Sequence, residues 1–279
     1  MNVLKSIGVM QGRLLPKYKG KYQAHPKGYW QNEFKIAKSI GISHIQFLFD
    51  NETAEENPII NEKQFEEILS LELKTKINIE SICCDYFINN PLFFTEYSDL
   101  NKSILLLDKL IEAARALNIR TLVIPCLENS SLDNHQKYNS FIKTISKFKN
   151  KLEKYNVKLS LESDLSIPEV LNVMKELCSS CYGVNYDIGN SAGYNRDPEA
   201  EVMALKNYIQ SIHVKDRNLD GISVPLGRGN ADFDRSFRAL SKIDYSGNFV
   251  FETYRDDEGL KIFKEQLEWV LPIMNKHFN

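Results

Sequence analysis

Apolar residues along this chain fall into two kinds of run that alternate from end to end. One kind is short, either continuous or alternating in polarity, as a strand buried on both faces or on one requires. The other repeats every third or fourth residue, as one face of a helix does. The short runs predict strands over Ser6–Gln11, His44–Asp50, Ile77–Cys84, Thr121–Leu127, Lys158–Ser163, Gly183–Ile188, Ile209–Val214 and Asn248–Tyr254. Helical spacing fills the intervals, over Tyr29–Ile40, Glu62–Lys74, Lys102–Leu117, Tyr138–Tyr155, Phe233–Ile243 and Leu260–His277. Two more helices open at Ser166–Glu169 and Asp197–Glu199, where Pro168 and Pro198 suit a first turn. Gly41 closes the first helix.

Strict alternation of strand and helix predicts parallel strands joined by crossover helices. Eight such units in 279 residues fit an α/β fold of the closed (β/α)8 type, one TIM-barrel domain over residues 1–279, better than an open doubly wound sheet. A dinucleotide-binding reading lacks its Gly-rich turn after the first strand. No linker or low-complexity tract interrupts the pattern.

Composition narrows the function classes. Hydrophobic residues make up 43% and charged residues 26%, an ordinary globular balance. The formal net charge of −2 gives no global field toward nucleic acid or anionic lipid. The densest basic stretch, Lys143–Lys154, has helical spacing and reads as a solvated helix face. No apolar run approaches the roughly 20 residues that span a bilayer, and Met1–Gly8 has no leader-like apolar segment. Five cysteines without framework spacing suit reduced thiols and a cytoplasmic setting. Cys178 and Cys181 form a lone pair with no second pair to complete a zinc site. The expected partner is a small molecule, and a homo-oligomer is compatible with all of this.

Four of the strands share one grammar: an apolar run with a metal-competent side chain near its C-terminal end. These side chains are Glu162, Asp187, His213 and Glu252, on the fifth to eighth strands. Reactive groups of such barrels sit at that end, and neighbouring strands lie about 4.8 Å apart, so four consecutive strand ends can surround one ion. A lone acid at a strand end is usually a cap or a solvated loop residue; four in corresponding places point to a shared site. Three carboxylates and one imidazole suit a single divalent cation, Mn, Co, Mg or Zn, without choosing among them.

The segments LSLES (159–163), NYDIGN (185–190), SIHVKDR (211–217), VPLGRGNADF (224–233) and FVFETY (249–254) resemble the sugar-phosphate isomerase/epimerase family with the xylose-isomerase-like barrel. The likeness is strongest to L-ribulose/L-xylulose 5-phosphate 3-epimerases and ketose 3-epimerases. It implies Glu162, Asp187, His213 and Glu252 as metal ligands, and Glu162 and Glu252 as an acid/base pair. Inverting a carbon beside a ketone removes a proton from one face and returns one to the other, which calls for two groups on opposite sides. A divalent ion would acidify that C–H and hold the enediolate charge. Arg217 is a candidate for substrate oxygens near the reacting carbons; Arg13, Lys215 and Arg228 are candidates for an anionic group such as phosphate.

The chain also departs from the family. Free-ketose epimerases carry a second glutamate and an arginine after the strand-five ligand, where this chain has Ser163–Pro168; they carry a histidine after the strand-six aspartate, where it has Ile188–Asn190. A phosphorylated or otherwise decorated sugar is therefore expected over a free hexulose. Gln46 stands where many members have a glutamate. His25, Trp30, Tyr86 and Phe87 are candidates for an apolar wall or lid, with Trp30 at core-like helical spacing; His44, His135 and His277 read as structural or surface residues. An aldose–ketose isomerase and a metal-dependent dehydratase remain alternatives on the same site, and a non-catalytic sugar-binding barrel is an alternative of another class. An apurinic endonuclease would need many more histidines than the five present.

Overall fold

The strand pattern works because inward and outward positions alternate. In Lys158–Ser163, Leu159 and Leu161 face the helices while Ser160 and Glu162 face the barrel interior. The same division places Val184 and Tyr186, Ile212 and Val214, and Phe249 and Phe251 in one large apolar layer outside the barrel. The computed structural model describes residues 7–93 and 97–278; Ser6 and the N-terminal segment read above lie outside them.

Eight strands form the ring: β1 (Ile7–Met10), β2 (His44–Leu48), β3 (Asn78–Cys83), β4 (Thr121–Cys126), β5 (Lys158–Ser163), β6 (Tyr182–Asp187), β7 (Ile209–Val214) and β8 (Asn248–Phe251). All neighbours are parallel, and β1 pairs with β8 to close the barrel. The outer helices are α1 (Gln31–Ser39), α2 (Phe65–Thr75), α3 (Tyr97–Ala116), α4 (His135–Ile145, continued as Lys149–Tyr155), α5 (Ile167–Leu177), α6 (Pro198–Leu205), α7 (Phe233–Lys242) and α8 (Leu260–Phe278).

Some local expectations change. The helix expected over Tyr138–Tyr155 is interrupted by a 3-10 turn at Ser146–Phe148, yet Ile145, Phe148 and Leu152 keep its apolar face buried. Short helices occupy Tyr86–Asn89 and Ile188–Gly193, where no helix was expected; the second takes Ile188, which the pattern had assigned to the end of the sixth strand. The second exists because the Asp187 side chain caps it, accepting from the Asn190 N–H at 2.8 Å. A small antiparallel hairpin, Asp216–Arg217 with Ser223–Val224, follows β7.

Two register shifts matter more than any boundary. Between Ile45 and Gln46 the β2–β3 pairing slips, so Gln46 faces Ser81; between Val184 and Asn185 the β6–β7 pairing slips, so Asp187 faces His213. Bulges of this kind re-aim side chains beside active sites. Here each slip brings a residue of the centre opposite its working neighbour.

Candidate metal centre

Each ligand candidate stands at or just past the end of its strand, on the inward side. Glu162 ends β5 but for one residue, Asp187 is the last of β6, His213 the penultimate of β7, and Glu252 the first beyond β8. All four are buried, and one donor atom from each lies within 4.8 Å of the others. The four side chains expected from the sequence are thus brought together.

Their contacts suit a cation. His213 Nδ1 lies 2.9 Å from Glu252 Oε2, 3.1 Å from Glu162 Oε2 and 3.7 Å from Asp187 Oδ2. It meets none of them with hydrogen-bonding angles, and Asp187 Oδ2 is likewise buried without a partner. Buried polar atoms left unpaired cost stability unless something joins them. A divalent ion would satisfy all of these lone pairs at once, and the hard carboxylates with one borderline imidazole are a fitting donor set.

The shell behind the ligands fixes their orientation. Gln46 Oε1 lies 2.7 Å from His213 Nε2, while Gln46 Nε2 donates to Ser81 Oγ at 2.9 Å. With the amide oxygen toward the ring, Nε2 is the nitrogen that donates to Gln46 and Nδ1 is the one that faces the three carboxylates. Asn185 and Asn190 donate to the two oxygens of Glu162 at 2.9 and 2.7 Å, and Ser211 donates to Asn185.

The two glutamates sit in unlike surroundings. Around Glu162 the donors are neutral amides; burial pushes its carboxyl up, against the pull of His213. Glu252 accepts from Lys215 Nζ at 2.8 Å, with Arg13 3.6 Å away. Burial would raise Glu252 too, but Lys215, His213 and Arg13 hold it well below the usual carboxylate range. Burial lowers His213, yet the carboxylates, Glu162 first, raise it well above its ordinary value.

A cavity of about 250 Å³ opens over Glu162 and Glu252, reached by Lys215 and Arg217. Arg217 bonds Asn190 Oδ1 and the Gly221 carbonyl, both at 2.6 Å. The other two cation candidates fall elsewhere. Arg13 is 1% exposed and donates to the Thr253 carbonyl and to Gln23; Arg228 is exposed and outside the cavity lining. Nor do His25, Trp30, Tyr86 or Phe87 line the cavity: His25, Trp30 and Phe87 are buried, with Trp30 packed edge-on against Phe34 and Phe47. Tyr22, Ile88 and Leu127 take that part instead.

Sequence reasoning missed Asp85, Gln23 and Tyr22, all of which line the cavity. Asp85 lies just past β3 in the position that the ligands hold on other strands, which was a readable signal. Asn185 and Ser211 could also have been found, since each sits two residues before a ligand and so shares its face. Among the described residues no helix is long and apolar enough to cross a membrane, and all five cysteines are free.

A closed parallel barrel with a buried Glu/Asp/His cluster on four consecutive strand ends, one that could hold a divalent ion, defines the class of protein. The chain matches the Xylose isomerase-like TIM barrel family over residues 34–273 and belongs to that family. It is 23% identical over 264 residues to the L-ribulose-5-phosphate 3-epimerase UlaE of Escherichia coli (strain K12), covering 88% of this chain and 90% of that protein. The IOLI protein solved with a zinc atom superposes with a TM-score of 0.78 at 13% identity, covering 98% and 99% of the two chains. A Mycobacterium smegmatis barrel solved with magnesium gives 0.71 at 16%, covering 97% of each.

Proposed function

We propose that this chain is a divalent-metal-dependent epimerase of a sugar or sugar derivative, inverting the carbon next to a ketone (C3), with Glu162 and Glu252 as the acid and base. The observation that carries the reading is two buried carboxylates of unlike surroundings flanking one cradle. Glu162, Asp187, His213 and Glu252 would hold the ion, which supplies polarisation of the ketone and offsets the charge its oxygen gains as the neighbouring C–H breaks.

Inversion needs one group without a proton and one that delivers a proton from the other side. Lys215 and Arg13 favour the charged form of Glu252, which suits a base. Glu162 faces only neutral amides besides His213, so it can take up a proton without breaking a tight pair with a lysine or arginine. The roles exchange in the reverse direction. Asp187 and His213 serve as holders, with Gln46 fixing the ring. The epimerase named among the relatives agrees with this chemistry.

The test is Mn-loaded protein in D2O with ketoses and their phosphate esters, followed by proton NMR. Deuterium at C3 together with a C3 epimer is expected. Glu162→Gln and Glu252→Gln should each lower exchange by about 100- to 10,000-fold. Deuterium at C1 with an aldose product would instead assign an aldose–ketose isomerase.

A further inference from the structure

Lys215 and Arg217 both reach the cavity from the segment that follows β7, while Asp216 between them is turned the other way and is fully buried. The two cations approach the two glutamates by different routes. Lys215 Nζ donates directly to Glu252 Oε1 at 2.8 Å. Arg217 Nη1 donates to Asn190 Oδ1 at 2.6 Å, which turns the amide so that Asn190 Nδ2 donates to Glu162 Oε1 at 2.7 Å. Both carboxylates of the acid/base pair are therefore aimed, in part, from the residues on either side of Asp216. Long side chains with many rotamers hold such directions only if the backbone beneath them is fixed.

The Asp216 carboxylate fixes that backbone. It accepts from the N–H groups of Gly227, Gly229 and Ala231 at 2.9, 2.9 and 3.0 Å. Successive amides turned inward make a nest that suits an anion, and here the chain supplies the anion itself. The fit is close on both sides of the segment. A Cβ on Gly229 would overlap Asp216 Oδ1, and the Asn230 N–H donates to the Arg217 carbonyl at 2.9 Å. Opposite the loop, the helix Ile188–Gly193 presses on the same segment, where a Cβ on Gly189 would lie 2.8 Å from the Lys215 carbonyl carbon. Burying a carboxylate is costly; three directed hydrogen bonds give in return a fixed orientation that an apolar side chain would not impose.

We infer that Asp216 is a positioning residue for both members of the acid/base pair: held by the Gly-rich loop, it sets Lys215 on Glu252 and Arg217, through Asn190, on Glu162. The inference rests on the epimerase reading above.

Deuterium exchange at C3 of a ketose by the Mn-loaded protein tests it. Asp216→Asn keeps the size of the side chain but puts an N–H donor into the nest. Its kcat should fall about a hundredfold, the cost of a displacement of about 1 Å, with KM little changed and Mn content equal to wild type. Asp216→Gly should lose as much and recover most of it in formate, which supplies the missing carboxylate, relative to wild type in the same buffer. Asp216→Asn, whose nest is filled, should not respond to formate. Calorimetry without substrate should show formate binding to Asp216→Gly and none to Asp216→Asn. Joined to Lys215→Met, Asp216→Asn should cost less than it does alone, because one of the two cations it directs is gone.

An unaltered kcat in Asp216→Asn, a loss in Asp216→Gly that formate does not reverse, or costs that multiply in full with Lys215→Met would each overturn this inference and leave the epimerase reading intact. Failure of both variants to fold would do the same, making Asp216 a folding element alone. Exchange with no ketose by the Mn-loaded wild type removes both.

Discussion

His44, the first residue of β2, and His213, near the end of β7, both face the barrel interior, and both are withdrawn from solvent. At the lower end His44 meets the Ser43 hydroxyl at 2.9 Å through Nδ1, while its Nε2 has no partner. Burial alone acts there, and it lowers the ring to about 4. At the upper end the same burial is overcome by three carboxylates, and His213 is raised. Depth therefore does not assign a role to a buried histidine; the charges gathered around it do. The lower imidazole fills space beside Gly8, its β1 neighbour, where any Cβ would overlap the ring. The upper one closes a cradle.

Acidification should separate the two ends most strongly. The folded value of His44 lies below the ordinary 6.5, so the stability from its neutral ring is complete above pH 6.5 and is lost as the pH falls toward 4. The full effect is about 3 kcal/mol. Denaturant unfolding across that window should show a shallower loss for His44→Gln than for wild type. His25, also lowered to about 4, adds to the loss on acidification, while Glu33, raised to about 7 by burial, works against it, so the His44 contribution is read from the difference between wild type and variant. Equal slopes for wild type and variant would mean that His44 does not titrate with folding.

A smaller effect is expected from Gly8→Ala, which overfills the same lower layer. It should destabilise the protein by about 1–3 kcal/mol, read from denaturation midpoints, while Mn affinity by calorimetry stays at the wild-type value. A change in affinity would show the two ends to be coupled. Smallest in free energy is Gln46→Ala, which should weaken Mn binding about tenfold with little change in melting temperature. Gln46→Glu should restore it, because a carboxylate accepts the same Nε2 hydrogen bond. His44→Gln, one inward position away on the same strand, should leave affinity alone.

The barrel was legible because every strand writes its outward face in apolar residues, and the four candidate ligands because each interrupts such a run with a polar residue near its end. What stayed hidden has physical causes. The two register shifts leave composition untouched, so nothing in the chain announces that Gln46 meets Ser81 or that Asp187 meets His213. The break in α4 is masked because its apolar spacing continues through the 3-10 turn. Asp216 sits between Lys215 and Arg217 and reads as solvated, yet it is fully buried by the three amides it binds. Arg13 looked like a free cation in a loop. The loop is instead fastened inward, with Glu33 accepting from Gly12 and Leu14, and Arg255 donating to the Leu15 carbonyl.

The pairing of β1 with β8 also has a consequence for the order in which the chain is made. The first strand to emerge must wait for the last before one of its edges is covered, and the four cradle residues all arrive on the final four strands. A nascent chain carrying β1–β4 thus presents Tyr22, Asp85 and Leu127 of the cavity lining without any of the four cradle side chains, and it keeps an open sheet edge throughout. Both seam strands are short, at four residues each, which is how natural sheets blunt an edge that must stay unpaired for a time.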